Sequence, residues 1–392
     1  MKRDQFHIPE GIIYLDGNSL GPMPIAAESR VRKALTDEWG EMLITAWNKA
    51  GWFHQPGALG DRLAPLIGAQ AGTVVIGDTL SIKVYQALAA GLKMRPDRKI
   101  ILSDSGNFPT DLYMAEGLIK TLDRNYKLKI VQPDEVEDHL DEQVAVMMLT
   151  QVDYRTGRLH DMKTLTRAAQ SVGTVVLWDL AHSAGAIPID LQGCNPEFAV
   201  GCTYKYINAG PGAPAFIYTR PDLADIAEPA LSGWMGHTSP FSFDMNYAPA
   251  ASIERMRVGT PPVLQMAALD AALDVWNGVS LHDIREKSIQ LSELFIDEVL
   301  KRCPELTLIS PRDSSRRGSQ VSFTNKNGYA IIQALIAQGV IGDFRAPDVL
   351  RFGFTPLYID HDDVARSVDI LEQIIKDKTW DQDHFKQRAA VT

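Results

Sequence analysis

The chain is poor in cysteine: only Cys194, Cys202 and Cys303 occur among 392 residues, and none has the paired spacing that holds zinc. Three scattered thiols do not make a disulfide framework. They fit buried side chains in a reducing, cytoplasmic setting, and no metal site is expected. Apolar runs are short, and none approaches the ~18 residues that cross a bilayer. The opening MKRDQFHIPEG has two basic residues with no apolar stretch behind them, so neither a secretory signal nor a membrane association is expected. Positive charge is also scarce, with 39 Lys and Arg against 49 Asp and Glu and a formal net charge of −10. No cationic stripe is present to neutralise phosphates, which argues against nucleic acid as a partner. Repeats and low-complexity tracts are missing too. What remains, 45% hydrophobic and 22% charged, is ordinary for a globular chain long enough for one large and one smaller domain.

The strongest pattern is an alternation of buried strands and helices. Val74–Ile76, Lys99–Leu102, Val144–Leu149, Thr174–Trp178, Phe198–Cys202 and Ala213–Tyr218 read as strands, with helices over Ile82–Leu92 and Met162–Ser171. This rhythm predicts an α/β fold on a mostly parallel sheet. One strand ends in Asp179, with His182 three residues on. Another ends in Thr203-Tyr204-Lys205 before the breaker Asn208-Ala-Gly-Pro-Gly212. Ligands of open α/β sheets bind at that edge, so an acid and a lysine delivered there suggest one site. A lysine forms Schiff bases with carbonyl compounds, and a carboxylate beside a protonated ring nitrogen keeps such a ring an electron sink. The pair points to pyridoxal phosphate, although singly Asp179 could cap a helix and Lys205 could be solvated.

Other residues allow two readings each. Thr79-Leu80-Ser81 opens a helix, where hydroxyls and free N–H groups either cap the turn or bind phosphate. Trp47 and Trp52 are either core aromatics or a pocket wall. His182 is either a satisfied core histidine or a cofactor neighbour. Arg351, set in the apolar Val349-Leu-Arg-Phe-Gly-Phe, needs an anion, which is either an internal carboxylate or a substrate carboxylate held by two bonds. Downstream, a long helix begins near Pro262. Helices over Leu281–Arg302 and Asp362–Lys376 and strands over Gln320–Phe323 and Val349–Phe352 form a second unit, and upstream Pro24–Trp39 and Leu59–Ile67 read as helices.

Gly17-Asn-Ser-Leu-Gly21, Phe108-Pro-Thr-Asp111, Tyr154-Arg-Thr-Gly157, Asp179-Leu-Ala-His182, Tyr204-Lys205, Gly233-Trp234, Gly259-Thr-Pro-Pro262 and Arg351-Phe-Gly-Phe-Thr-Pro-Leu-Tyr358 occur in one order across the chain. In these motifs the sequence resembles the kynureninases, pyridoxal phosphate enzymes of the aminotransferase class V group. The resemblance implies a fold type I transferase-like architecture, with a seven-stranded-type central sheet and a smaller α/β C-terminal domain. It also implies boundaries: an N-terminal segment 1–45 packing on both domains, a cofactor domain 46–260, a small domain 261–378 and a polar, loosely held tail 379–392. Hydrolysis of L-kynurenine or 3-hydroxykynurenine to anthranilate or 3-hydroxyanthranilate and L-alanine is the implied reaction.

By the same resemblance Lys205 carries the cofactor and removes the substrate α-proton, while Asp179 faces the ring nitrogen. Thr79, Leu80 and Ser81 hold the phosphate, Phe108 stacks on the ring, and Thr110, Asp111 and His182 line the cofactor. Tyr204, expected to point opposite to Lys205 on an extended segment, reaches the phosphate and assists proton transfer. Ser19, Trp47 and Arg351 face substrate, and Trp234 and Thr260 cross to the partner's cofactor phosphate in a homodimer with shared sites. Alternatives within the fold are a cysteine desulfurase or selenocysteine lyase, or an aminotransferase. The first two need a loop cysteine ahead of the C-terminal arginine, and this chain has none after Cys303. A catalytically silent ligand sensor is the alternative from outside the enzymes.

Overall fold

The computed structural model describes residues 2–389. Seven strands, β1 (Val74–Ile76), β2 (Ile100–Asp104), β3 (Lys127–Val131), β4 (Val144–Thr150), β5 (Val175–Asp179), β6 (Phe198–Gly201) and β7 (Phe216–Thr219), form one sheet in the order β1-β7-β6-β5-β4-β2-β3. β7 runs antiparallel to both its neighbours, and the other pairings are parallel. β4 and β5 are buried along their whole length because helices cover both faces, so they read as unbroken apolar runs. Within them the residues still alternate. Val146, Met148, Val175 and Leu177 join one core, while Met147, Leu149, Val176 and Trp178 join the other. Trp178 is fixed by its indole N–H, which donates to Thr166 Oγ1 at 3.0 Å.

β3 is a strand that periodicity overlooked. It is an edge strand, and Lys127 and Lys129 interrupt its apolar residues, as suits an edge exposed to water. Helix limits also moved. The first helix covers Ile25–Lys33 and continues as a π-helical segment to Glu41, and the helix read over Ile82–Leu92 spans Leu80–Met94. The expected Leu59–Ile67 helix is an α-helix over Gln55–Leu63 followed by a 3₁₀ turn over Ala64–Ile67. The strand read from Ala213 begins only at Phe216.

A second sheet contains β8 (Thr307–Leu308), β9 (Gln320–Thr324), β10 (Asp343–Arg345) and β11 (Val349–Gly353), in the order β8-β9-β11-β10, all antiparallel. Helices Leu281–Arg302 and His361–Lys376 pack on each other beside it. The N-terminal segment ties onto this part through Ile13–Tyr14, which pairs in parallel with Val340–Ile341. Of the polar tail, residues up to 389 are held down. Phe385 packs on the core, and Tyr329 Oη donates to the Gln387 carbonyl while accepting from the Ala389 N–H. Residues 390–392 lie outside the described part. Among the described residues no helix is long and apolar enough to cross a membrane, and no cluster of His, Cys, Asp and Glu could hold a metal ion.

Candidate active site

The parallel strands all end on one edge of the large sheet, and five of the segments that follow them converge there. β1 leads into Thr79–Ser81, β2 into Phe108–Asp111, β4 into Gln151–Tyr154, β5 into Asp179–His182 and β6 into Lys205. Such an edge is where open α/β sheets bind ligands. The Gly17–Gly21 segment closes over it from the N-terminus. The Gly21 N–H donates to the Tyr204 carbonyl at 2.8 Å, and a side chain at Gly21 would collide with the Lys205 carbonyl and Asn208. Glycine is therefore required by a close backbone approach.

Lys205 Nζ lies 2.8 Å from His182 Nε2 and 5.9 Å from the Phe108 ring centroid. Burial holds the His182 imidazole well below its usual range, and the lysine cation adds to this. A neutral ring accepting at Nε2 carries its hydrogen on Nδ1, and both that atom and Gln320 Oε1 are buried and unpaired. Residues 203–205 form a bend, not the extended segment expected, and Lys205 Nζ sits 5.8 Å from the Tyr204 ring instead of on the opposite side. The neighbouring Cys202 thiol and burial push the Tyr204 phenol up, so it stays protonated near neutral pH.

Asp179 is 2% exposed and accepts from the Ala181 N–H at 2.8 Å. Asp111, 1% exposed at the start of helix Pro109–Leu122, lies against it within proton-sharing reach, and its Oδ2 has no partner. Burial raises both carboxyls, Asp111 further because Asp179 repels its charge, while the Lys205 ammonium works in the opposite direction. Two buried acids sharing one proton form a site suited to a cation, which is what a protonated pyridine nitrogen offers. Helix Leu80–Met94 meets this edge with no side chain capping it, so its first N–H groups face outward as an anion site. The donors present therefore fit pyridoxal phosphate at both its ring and its phosphate ends.

The comparisons with known proteins agree with this geometry. Residues 284–371 match the kynureninase C-terminal domain. Kynureninases of Pseudomonas fluorescens and Burkholderia pseudomallei (strain 1106a) are 47% and 49% identical over 397 aligned residues, covering 100% of this chain and 95% of each relative. The chain belongs to the kynureninase family. A cysteine desulfurase from Thermococcus onnurineus NA1, in its apo structure, superposes with a TM-score of 0.81 over 96% of this chain and 98% of its own, at 17% identity. At that identity the likeness shows the fold alone.

Not every residue that the kynureninase resemblance nominated meets Lys205. Trp47 is half-buried edge-on to Trp52, 6.0 Å between centroids, and Trp52 is anchored through its N–H to Glu38 Oε2 at 2.9 Å. Trp234 is 39% exposed and touches Phe241, and Thr260 lies on an exposed bend. Thr79 and Ser81 make no side-chain hydrogen bond among the described residues, nor does Thr110 in the first turn of its helix. Ser19 is brought in. It donates to Asp343 Oδ2 at 2.6 Å and accepts from Arg351 Nη2 at 2.9 Å.

Arg351 has the internal carboxylate partner of the first reading opened above. It is 1% exposed and already paired, with Nε on Asp343 Oδ1 at 2.7 Å and Nη2 on Asp343 Oδ2 at 2.5 Å. Nη1 donates to the Tyr154 carbonyl. Asp343 was not picked out from sequence, and neither was Lys83, a fully buried lysine beneath the uncapped helix start. Its ammonium donates to Asp78 Oδ2 at 2.9 Å, Gln86 Oε1 at 3.0 Å and the Met256 carbonyl at 2.9 Å.

Proposed function

We propose that the chain hydrolyses L-kynurenine, or its 3-hydroxy form, to anthranilate (or 3-hydroxyanthranilate) and L-alanine with pyridoxal 5′-phosphate. The observation that carries this reading is Lys205 beside neutral His182 and the Asp179–Asp111 pair, on the sheet edge of a kynureninase-family chain. When bound, pyridoxal phosphate supplies an aldehyde that amines condense with and a ring that absorbs electron density from the substrate α-carbon.

The protein's own groups divide the remaining work. Asp179, with Asp111, keeps a compensating negative charge where the ring nitrogen would lie. Backbone N–H groups of Thr79, Leu80 and Ser81 would receive the phosphate, Thr110 lines the same edge, and Phe108 would cover the ring. His182 accepts a hydrogen from Lys205 without competing for its proton. Lys205, the amine that would carry the cofactor, would also be the base for the substrate α-hydrogen. Tyr204, protonated at neutral pH, is a hydrogen donor and not a phenolate base. The Arg351 guanidinium offers the substrate carboxylate a cation, with Ser19 beside it.

The division into residues 1–45, 46–260, 261–378 and 379–392 belongs to this reading, as does a cytoplasmic location. So does a homodimer in which Trp234 and Thr260 complete the partner's site. It is supported by the apolar side chains left in water near them, Phe241 at 56%, Phe243 at 74% and Met245 at 97% exposure. The test is the cofactor-loaded protein mixed with L-kynurenine. Anthranilate fluorescence rising together with alanine supports the reading, and a protein that releases neither refutes it.

A further inference from the structure

We infer that the substrate carboxylate is held by two arginines, with Arg345 as the second. This rests on the kynurenine reading above and adds to it a residue for recognising the acid group.

The argument begins with the donors of Arg351. A guanidinium has five N–H groups. Nε is spent on Asp343, Nη2 on Asp343 and Ser19, and one Nη1 hydrogen on the Tyr154 carbonyl. One Nη1 hydrogen remains. Arg351 alone therefore cannot make a two-bond clamp on an incoming carboxylate without breaking a bond it already has. Ser19 cannot supply the second donor, because its hydroxyl hydrogen goes to Asp343 Oδ2.

Arg345 can. It stands next to Asp343 at the end of β10, with Nη2 2.8 Å from Asp343 Oδ2 and 3.2 Å from Ser19 Oγ, and Nη1 making only a long 3.5 Å bond to the Phe344 carbonyl. Among the described residues its Nε has no partner. Its side chain is 37% exposed against 1% for Arg351, so it is the arginine that a solute meets first. Both arginines bear on the reacting end of the site. Tyr154, whose carbonyl accepts from Arg351, lies edge-on to Phe108 at 5.1 Å, and Arg345 reaches the same end beside Asp343 and Ser19.

Charge points the same way. Burial would raise Asp343, but its bonds to Arg351 and the nearby Arg345 outweigh burial and hold it below the usual carboxylate range. Asp16, pushed up to about 7 by burial and by Asp343, is only a part-time anion. Two guanidinium cations thus face one full and one partial carboxylate charge, which leaves positive charge for a substrate carboxylate. Asp343 is the post between them. It is cross-strand to Arg351 in the β10–β11 register and sets the spacing of the two guanidinium groups.

The experiment uses the cofactor-loaded enzyme and Arg345→Gln, which keeps the side-chain stem, with Arg345→Lys as a second variant. Wild type must first release anthranilate from kynurenine; failure there removes the functional reading and not this one. The Gln variant is then expected to raise KM for kynurenine about 10- to 100-fold with kcat changed less than about threefold, the scale of a lost charge-assisted bond. Calorimetric binding of desaminokynurenine, which keeps the carboxylate and lacks the α-amine, should weaken by the same factor. Affinity for the decarboxylated amine should stay unchanged, and Lys should recover part of the loss. Unchanged KM, or equal losses for the carboxylate and the decarboxylated ligands, overturns the assignment. If the Gln variant does not fold, the Lys variant is read by the same contrast.

Discussion

Asp111→Asn is expected to stabilise the cofactor-free chain. Asp111 is buried against Asp179, and its folded-state pKa lies well above the ordinary 3.8. Its contribution to stability is therefore complete below about pH 4 and is lost as pH rises, because folding must take up a proton that the unfolded chain has released. One proton costs about 1.4 kcal/mol per pH unit, so the cost grows as pH rises above the unfolded value for as long as the folded carboxyl keeps its proton. Asparagine has no proton to take up, and its amide can donate to Asp179 as the acid does. With an unfolding entropy of about 2 cal/mol/K per residue over 392 residues, each 1 kcal/mol of that gain raises Tm by about 1.3 °C. The assay is thermal unfolding of the cofactor-free protein at about pH 5 and about pH 7.5. The gain should be small at the lower pH and grow at the higher one. A gain of equal size at both, or a loss that deepens with pH, would refute the proton-sharing account of the pair. The one negative charge of the pair stays on Asp179 in the variant, so cofactor affinity should change little.

Lys83→Met should lower Tm by about 1–4 °C, because Gln86 Oε1 loses its buried donor for about 1–3 kcal/mol while Gln86 Nε2 still serves the Met256 carbonyl. The same variant should shed cofactor faster on gel filtration, and retention equal to wild type would detach Lys83 from the phosphate end. Mixing Lys205→Ala chains with Thr260→Glu chains should restore part of the activity, since one site in each mixed dimer carries neither lesion. Purified mixed dimers no more active than their parents would mean that each chain builds its own site.

The pieces of this site that sequence made legible are those at strand ends. Asp179, Lys205 and Phe108 each follow an unbroken apolar run, and a doubly covered parallel sheet forces such runs and aligns their carboxyl ends. Residues set by tertiary register were hidden. Asp343 earns its role by lying opposite Arg351 across an antiparallel pair, and nothing local to Gly342-Asp343-Phe344 marks it. Lys83 looked like an ordinary charged helix position, and its burial follows from the 252–256 segment laid across the helix start. Trp234 and Thr260 came from the family resemblance alone, and within one chain they sit in water. β3 was lost because Lys127 and Lys129 broke the apolar pattern, and the bend at 203–205 because strand periodicity carries no information about where a strand lets go.

The most direct test of the central claim is borohydride reduction of the cofactor-loaded protein followed by peptide mass analysis. The account predicts visible absorption that disappears on reduction, a pyridoxyl phosphate mass fixed on the peptide bearing Lys205, and no such label in Lys205→Ala. A label on another lysine, or absorption and turnover that survive in Lys205→Ala, would contradict it.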